Sequence, residues 1–389
     1  MPLRQLRVVA AVAQHGSAAS AATRLHQSVS AVTRTVLQAE ALLGLPLFER
    51  GARGMACTPA GAVLVARVQR ALAELHQGGD ATLPLRATDT MLHALAAVAA
   101  SRSESAAALQ LGVSQSAVHQ TLRQLEHAAR GPLFERSRRG TRLTDAGERL
   151  LRHAKLALAE LRIAHDELAA FRGIAPGRVA IGALPMAADV LVPQALSRLF
   201  AAQPGLRVTV VDGTYEALLH QLRHGDIDLI VGPLRGDAAA ADVQESLLFV
   251  DKLLPVVRQG HPALQATRPP RSLRPLLRWP WIGPLPGTPA RAAFERAFEA
   301  AGLAVPAVQL QANAPAVVRS VLMAGDAVAM LSRLQIQAEV ASGLLVLLPV
   351  PVHGTQRSIG TTQRRDGLPS AAARELLQAL QAVATASVS

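Results

Sequence analysis

The sequence predicts a multidomain chain: two helix-rich units, each a helix-turn-helix with a short hairpin wing and a long following helix, ahead of a two-lobed α/β domain. Three observations predict it. Residues 17–61 overlay residues 103–147 after a shift of 86 with no gap, and 21 of those 45 positions are identical. Each copy runs into an apolar stripe at helical spacing, and beyond residue 173 the pattern changes to alternating strand-like and helix-like segments. With 389 residues, 50% of them hydrophobic, the chain can bury a core in each of two or three domains. The boundaries read as 1–79, 80–173 and 174–389.

The formal net charge is +12. Residues 1–172 carry 21 Lys and Arg against 13 Asp and Glu, a balance of +8, and residues 173–389 carry 19 against 15, a balance of +4. The positive excess sits with the helix-turn-helix units, as a polyanionic partner requires.

In the second copy Ser103 can cap a short helix carrying Ala106, Ala107, Ala108 and Leu111. Gly112 supplies the turn, and Ser114 caps a second helix with Ala117, Val118, Leu122 and Leu125 on its inward face. The outward face holds Gln115, Ser116, His119, Gln120 and Arg123, which can hydrogen-bond base edges and phosphates from a major groove. Leu133 and Phe134 dock the next turn, and Arg136, Arg138, Arg139 and Arg142 crowd the hairpin, four arginines within seven residues. A polar outer helix face is by itself only a solvated surface. Its combination with a basic wing points to double-stranded DNA.

The run V-S-Q-S-A-V, then Leu125-Glu126, Pro132-Leu133-Phe134-Glu135-Arg136, Arg139-Gly140 and Leu143-Thr144-x-Ala146-Gly147, resembles the DNA-binding domain of the LysR-type transcriptional regulators. That resemblance implies that residues 114–126 form the recognition helix and the Arg-rich hairpin the wing. The first copy departs from the second: Val29 stands for Gln115, Gln27 for Val113 and Ala39 for Leu125, leaving fewer base-reading groups and a thinner core. It keeps Ser28 and Ser30, has Thr33-Arg34 where the family commonly shows Ser-Arg, and offers only Arg50 and Arg53 in its wing. It reads as a degenerate DNA reader with Ser28, Ser30, Thr33, Arg34 and Arg53 as candidate contacts. A purely structural pseudo-partner is the alternative.

A helix follows each wing. Pro59 behind Thr58 opens one, with Val65, Val68, Leu72 and Leu75 ahead of Gly78-Gly79. The other begins after Thr144 and carries Leu150, Ala154, Ala157, Leu161, Ala164, Leu168 and Phe171 before Gly173. Heptad-like seams need a partner. The resemblance implies a linker helix that pairs with its counterpart in another subunit, giving a homo-oligomer. Here the two helices of one chain can instead pair with each other, with residues 80–87 as the crossover; burial against the α/β domain competes.

Ile174-Ala175-Pro176-Gly177 marks the boundary to that domain. Strands are expected at 177–184, 206–213 and 227–234 with helices at 187–202 and 215–223, then a crossing segment at 247–257. A second set places strands at 279–284, 307–312 and 327–331 and helices at 289–301 and 316–323. Such alternation implies a parallel sheet covered on both faces. Two lobes of this kind resemble the periplasmic-binding-protein-like effector domain of the same family, and IGALP with GDIDLIVGPLR further resembles regulators of sugar-binding proteins within it. A small-molecule effector would bind between the lobes, where strand C-termini and helix N-termini present free N–H groups. The candidate contacts are Pro185, Met186, Thr214, Gly232, Gly287, Thr288 and Asn313. Many family members place Ser or Thr after the first strand, and Pro185-Met186 here speaks against a carboxylate gripped by a hydroxyl at that point.

Neither GxxxxGK[ST], HExxH, GxSxG nor a strand-borne GxGxxG occurs, so no enzymatic reaction, metal or cofactor is expected. Cys57 is the only cysteine, which excludes an intrachain disulfide. His220 and His224, four apart, read as surface histidines. No run of 18 apolar residues and no signal-peptide pattern occurs. The expectation is a cytoplasmic, effector-controlled DNA-binding regulator that makes no membrane contact; the competing expectation is a solute-binding module whose N-terminal helices contact protein.

Overall fold

A computed structural model describes residues 1–51, 54–79, 82–137, 140–173, 177–265 and 269–388. They form two compact units, Met1–Arg178 with Arg223–Asp226, and Val179–Leu222 with Ile227–Ser389.

In the first unit the element order repeats. Helices α1 (Leu3–His15), α2 (Ala18–Leu25) and α3 (Val29–Leu43) precede a hairpin of β1 (Phe48–Gly51) and β2 (Gly54–Cys57), and α4 (Pro59–Gly78) follows. A short connecting helix α5 (Leu83–Arg86) leads to α6 (Asp89–Ser101), α7 (Glu104–Leu111), α8 (Gln115–Ala129), the hairpin β3 (Phe134–Ser137) and β4 (Gly140–Leu143), and α9 (Asp145–Phe171). The first helix of each repeat, α1 and α6, lies ahead of the 45-residue match.

The residues shared by the two copies are mostly those that fix this frame. Ser17 and Ser103, Ser28 and Ser114, Thr58 and Thr144 each accept a backbone N–H at a helix N-terminus. Glu40 Oε1 accepts the N–H groups of Leu47 and Phe48 at 2.8 and 3.2 Å, and Glu126 Oε1 those of Leu133 and Phe134 at 3.0 and 3.4 Å. Thr58 Oγ1 donates to the Pro46 carbonyl at 2.7 Å and Thr144 Oγ1 to that of Pro132 at 2.9 Å. Gly61 and Gly147 are obligatory because a Cβ would lie 2.0 Å from the Leu47 carbonyl oxygen and 2.1 Å from that of Leu133.

Three core assignments need correction. Ala106 and Ala117 are exposed, and Phe171 is 47% exposed. The eight residues of α7 bury only Ala107 and Ala108, and Ala117 sits in the first turn of α8, ahead of the buried Val118, Leu122 and Leu125. Ala39 is fully buried against Val36 and Leu47, so the smaller residue is matched by its surroundings.

The second unit begins with β5 (Arg178–Ala183), a π-helical turn over Ala187–Leu191, α10 (Val192–Ala202), β6 (Arg207–Asp212), α11 (Tyr215–Arg223) and β7 (Leu229–Pro233). The long strand β8 (Val243–Arg258) leads to β9 (Trp281–Gly283), α12 (Pro289–Ala300), β10 (Val308–Gln311), α13 (Pro315–Ala324), β11 (Val328–Ser332), α14 (Gln337–Ala341) and β12 (Leu345–Leu347). β13 (Gln356–Arg364) and α15 (Ala371–Val388) end the chain. The strand order is β10-β9-β11-β8-β13-β7-β5-β6, with β12 also on β8. β5 and β7 pair in parallel, as do β9 with β10 and β11. β13 runs antiparallel to both β7 and β8, and β11 antiparallel to β8. The sheet is therefore mixed, not parallel throughout, because the returning strand β13 inserts between the two lobes. β8 spans both: residues 243–252 pair with β13 and residues 253–258 with β11 and β12. α15 buries Ala372, Ala373, Leu376, Leu380 and Val383 against the core of the first lobe.

Candidate nucleic-acid interface and ligand cleft

On α8, Gln115, Ser116, Gln120 and Arg123 are exposed, while Ser114 Oγ is shared between the Ala117 N–H and the Ser116 hydroxyl. His119 is half-buried, its Nδ1 3.1 Å from Glu104 Oε2 in the first turn of α7. That contact ties the ring to α7 through Nδ1, a link between residues 15 apart that sequence spacing did not reveal. Arg142 is exposed on β4 and Arg136 lies on β3. Arg53, Arg138 and Arg139 lie outside the described residues.

The corresponding face of α3 is less polar. Ser28, Ser30 and Arg34 are exposed and Thr33 is half-buried, but Val29, Leu37 and Leu42 are exposed too, at 49%, 49% and 62%. Apolar groups stand where α8 carries Gln115 and Arg123.

The two long helices run antiparallel against each other. Arg67 of α4, 2% exposed, donates to Glu160 at 3.0 Å and to Glu167 at 3.0 and 2.9 Å on α9, and Arg70 reaches Glu160 at 3.0 Å. Burial lowers the Arg67 pKa, but the hydrogen bonds and charges of Glu167 and Glu160 more than offset it and hold the guanidinium above its ordinary value. At the other end Glu74 of α4 meets His153 Nδ1 of α9 at 2.8 Å. Adding 86 to 67 and 74 yields 153 and 160, so Arg67–Glu160 and His153–Glu74 are the same contact related by a pseudo-two-fold axis. Gly78 permits the approach, since a Cβ there would lie 2.7 Å from that of His153.

Of the positions expected to hold an effector, all but Pro185 have structural work. Met186 is buried in the first lobe, and Pro185 follows β5. Thr214 accepts the Ala217 N–H at 3.3 Å at the start of α11. Gly232 has φ 155°, and a Cβ would lie 2.6 Å from that of Leu184. Thr288 caps α12 and donates to the Leu285 carbonyl at 2.8 Å, while Asn313 Oδ1 accepts the Leu285 N–H at 3.2 Å. Together Thr288 and Asn313 tether the loop around Gly287, which turns at φ 72°. The lobes are linked by charges that the sequence did not single out. Asp189, in the turn after β5, accepts from Arg319 Nη1 at 2.5 Å and Nη2 at 3.3 Å, and Arg319 Nε lies 3.0 Å from Glu339.

The family model of the LysR substrate binding domain matches residues 172–385, and that of the lysR-family bacterial regulatory helix-turn-helix proteins matches twice, at residues 3–62 and 90–148. The chain belongs to the LysR family of transcriptional regulators. Among its LysR-family relatives, the HTH-type transcriptional regulator GalR of Pseudomonas putida (strain KT2440) is 35% identical over 390 residues, 98% of this chain and 97% of its own. PcaQ of Agrobacterium fabrum is 35% identical over 288 residues, which is 92% of its own length but only 74% of this chain. The crystal structure of full-length CbnR complexed with its target DNA shares the fold, with a TM-score of 0.54 at 20% identity over 75% of this chain and 98% of that one. As a member of this family the chain is a DNA-binding transcriptional regulator with an effector-binding domain.

Within this LysR-family effector domain the crossing strands carry a buried network. Asp251 of β8 accepts from Ser332 Oγ at 2.5 Å and from Arg357 Nε of β13 at 2.8 Å, and Ser332 is fully buried. It pins β8, β11 and β13 together where the two lobes join. No helix among the described residues is long and apolar enough to cross a membrane, and no group of three His, Cys, Asp or Glu among them could hold a metal ion.

Proposed function

We propose that the two repeats are two winged helix-turn-helix units forming a DNA reader within one polypeptide, and that a small-molecule effector between the lobes of residues 179–389 controls it. The observation that carries this reading is the antiparallel α4–α9 pair, whose mirrored contacts Arg67–Glu160 and Glu74–His153 do within one chain what a two-fold axis does between two. The second unit is the stronger reader. Gln115, Ser116, His119, Gln120 and Arg123 address bases and phosphates, with Ser114 holding the helix start and Arg136, Arg138, Arg139 and Arg142 in the wing. The first unit contributes Ser28, Ser30, Thr33, Arg34 and Arg53, mainly to the backbone. The effector would sit near Pro185, Met186, Thr214, Gly232, Gly287, Thr288 and Asn313. Backbone N–H groups, not the tethering side chains of Thr288 and Asn313, would greet it, and the Asp189–Arg319 pair sets the separation of the lobes that it must alter.

Footprinting of operators selected from random DNA, with stoichiometry measured in parallel, tests the reading. The expected result is an asymmetric site protected by one chain, its stronger half weakened by Gln115→Ala and its weaker half by Arg34→Ala. Two equal half-sites that need two chains would refute it. Deleting residues 1–86 is a poorer test than these substitutions, because it also strips α4 from the apolar stripe of α9.

A further inference from the structure

Among the described residues three non-glycine residues hold positive φ: His26 at 52°, Arg102 at 55° and Arg130 at 57°. All are basic types, and all lie in the repeats. The shift of 86 pairs Arg102 with Gly16, φ 71°, and Arg130 with Gly44, φ 65°. Thus at two helix ends where the first repeat uses glycine, which meets no steric penalty in the left-handed region, the second uses arginine, which does; at the third the exchange is reversed, His26 against Gly112 at φ 68°. Both arginines are exposed, so each can present its charge to a partner. A strained backbone conformation held at such a position is a pointer to function.

Their places fit one partner. Arg102 ends α6, and its carbonyl accepts the Thr141 N–H of the wing at 3.2 Å, so it stands at the root of the wing beside the Ser103 cap. Arg130 ends α8. Ser116, Gln120, Arg123 and His127 lead to it at alternating spacings of four and three, which puts all five on one helix face. Arg86 of α5 joins Arg123, His127 and Arg130 around a surface depression of about 750 Å³. A helix of this length is about 22 Å long, whereas a major groove is about 12 Å wide. With its N-terminus at base edges, α8 therefore carries its C-terminal cations over the flanking sugar-phosphate backbone. Glu126 tempers that charge at 3.6 Å from Arg123 Nη1, although its Oε1 is committed to the Leu133 and Phe134 N–H groups. In the first repeat the same stripe reads Ser30, Arg34, Leu37, Ala41 and Gly44, with no cation after Arg34.

We propose that Arg102 and Arg130 are phosphate anchors at the two ends of the second reader, with Arg86 and His127 completing the C-terminal site. This repeat then grips a longer stretch of duplex backbone than the first. The inference rests on the reading of the second repeat as a DNA reader. It is tested with the full chain and a random-sequence 30-bp duplex by filter binding over a salt series, beside thermal melting. Arg102→Gly and Arg130→Gly relieve the backbone while removing the charge, so each should melt at or above the parent temperature and yet bind DNA more weakly. Each should lower the slope of log K against log salt by about 0.9. Between 50 and 200 mM salt that is about 3.5-fold less loss of affinity per variant. Arg130→Lys should keep the parent slope, and Arg86→Gln should lower it. Parent-like slopes in both glycine variants, with a steep wild type, would overturn the anchors and leave the reader standing. A flat wild-type slope would overturn the reader itself, and a lower melting temperature in the glycine variants would overturn the strain argument on which the anchors rest.

Discussion

Replacing Arg67 by Met asks what holds α4 and α9 together. Arg67 is 2% exposed, and its partners Glu160 and Glu167 have side chains 7% and 11% exposed. Removing one member of a buried ion pair costs about 3–5 kcal/mol, because the remaining charge is left desolvated and uncompensated. Arg70 still reaches Glu160 at 3.0 Å, so a loss near the lower end, about 3 kcal/mol, is expected. For a unit of this size each kcal/mol moves the midpoint by about 2–4 °C, so Arg67→Met should lower one calorimetric transition by about 6–12 °C. Methionine keeps most of the aliphatic stem's volume, so little of the loss comes from a cavity. The triple variant Arg67→Met, Glu160→Gln, Glu167→Gln removes both signs of charge and should recover more than half of the loss. A drop under about 2 °C in the single variant, or no recovery in the triple, would refute the reasoning.

Two further predictions concern the surfaces these helices carry. Gln115→Ala should cost about 1–3 kcal/mol on a selected operator at one base position and little on random DNA, whereas Arg142→Ala should weaken both alike; equal losses for Gln115→Ala on the two DNAs would remove it from base readout. In the effector domain, Asp189→Asn weakens the link between the lobes, so amide hydrogen exchange should quicken over residues 187–191 and 315–324 while DNA affinity without effector stays at the parent value. Exchange at the parent rate would show that the Asp189–Arg319 pair does not hold the lobes.

Much of this was legible because it is local. Cap residues, turn glycines and the apolar stripes act within four or five residues of themselves, and the strands and helices of both lobes fall within a few residues of where period and punctuation put them. What sequence could not show was long-range. β13 and α15 close the first lobe from more than a hundred residues away, and without β13 the alternation read as purely parallel. Asp189–Arg319, Asp251–Arg357 and Asp251–Ser332 join residues 130, 106 and 81 apart, with no spacing to betray them. Thr288 and Asn313 stand out in the sequence as loop residues, but their shared bonds to Leu285 do not. Arg67 did leave a signal: a charge next to the stripe of Val65, Val68, Leu72 and Leu75 is buried only when a carboxylate awaits it.

The asymmetry of the two repeats is not drift alone, because it has a direction. Residues that hold the frame agree in both copies, down to the carboxylate of Glu40 and Glu126 on the same backbone N–H pair. Buried exchanges such as Ala39 against Leu125 keep an apolar group, whereas those on the outward faces change its chemistry: Val29 against Gln115, Leu37 against Arg123, Gly44 against Arg130. Even the pseudo-symmetric contact is split, Arg67 at one end of the helix pair and His153 at the other. A reader assembled from two chains cannot make such distinctions, since every substitution is copied across its axis. On the reading proposed above, one polypeptide with two joined readers can: α4 and α9 would stay paired while α8 alone would come to dominate which bases are read.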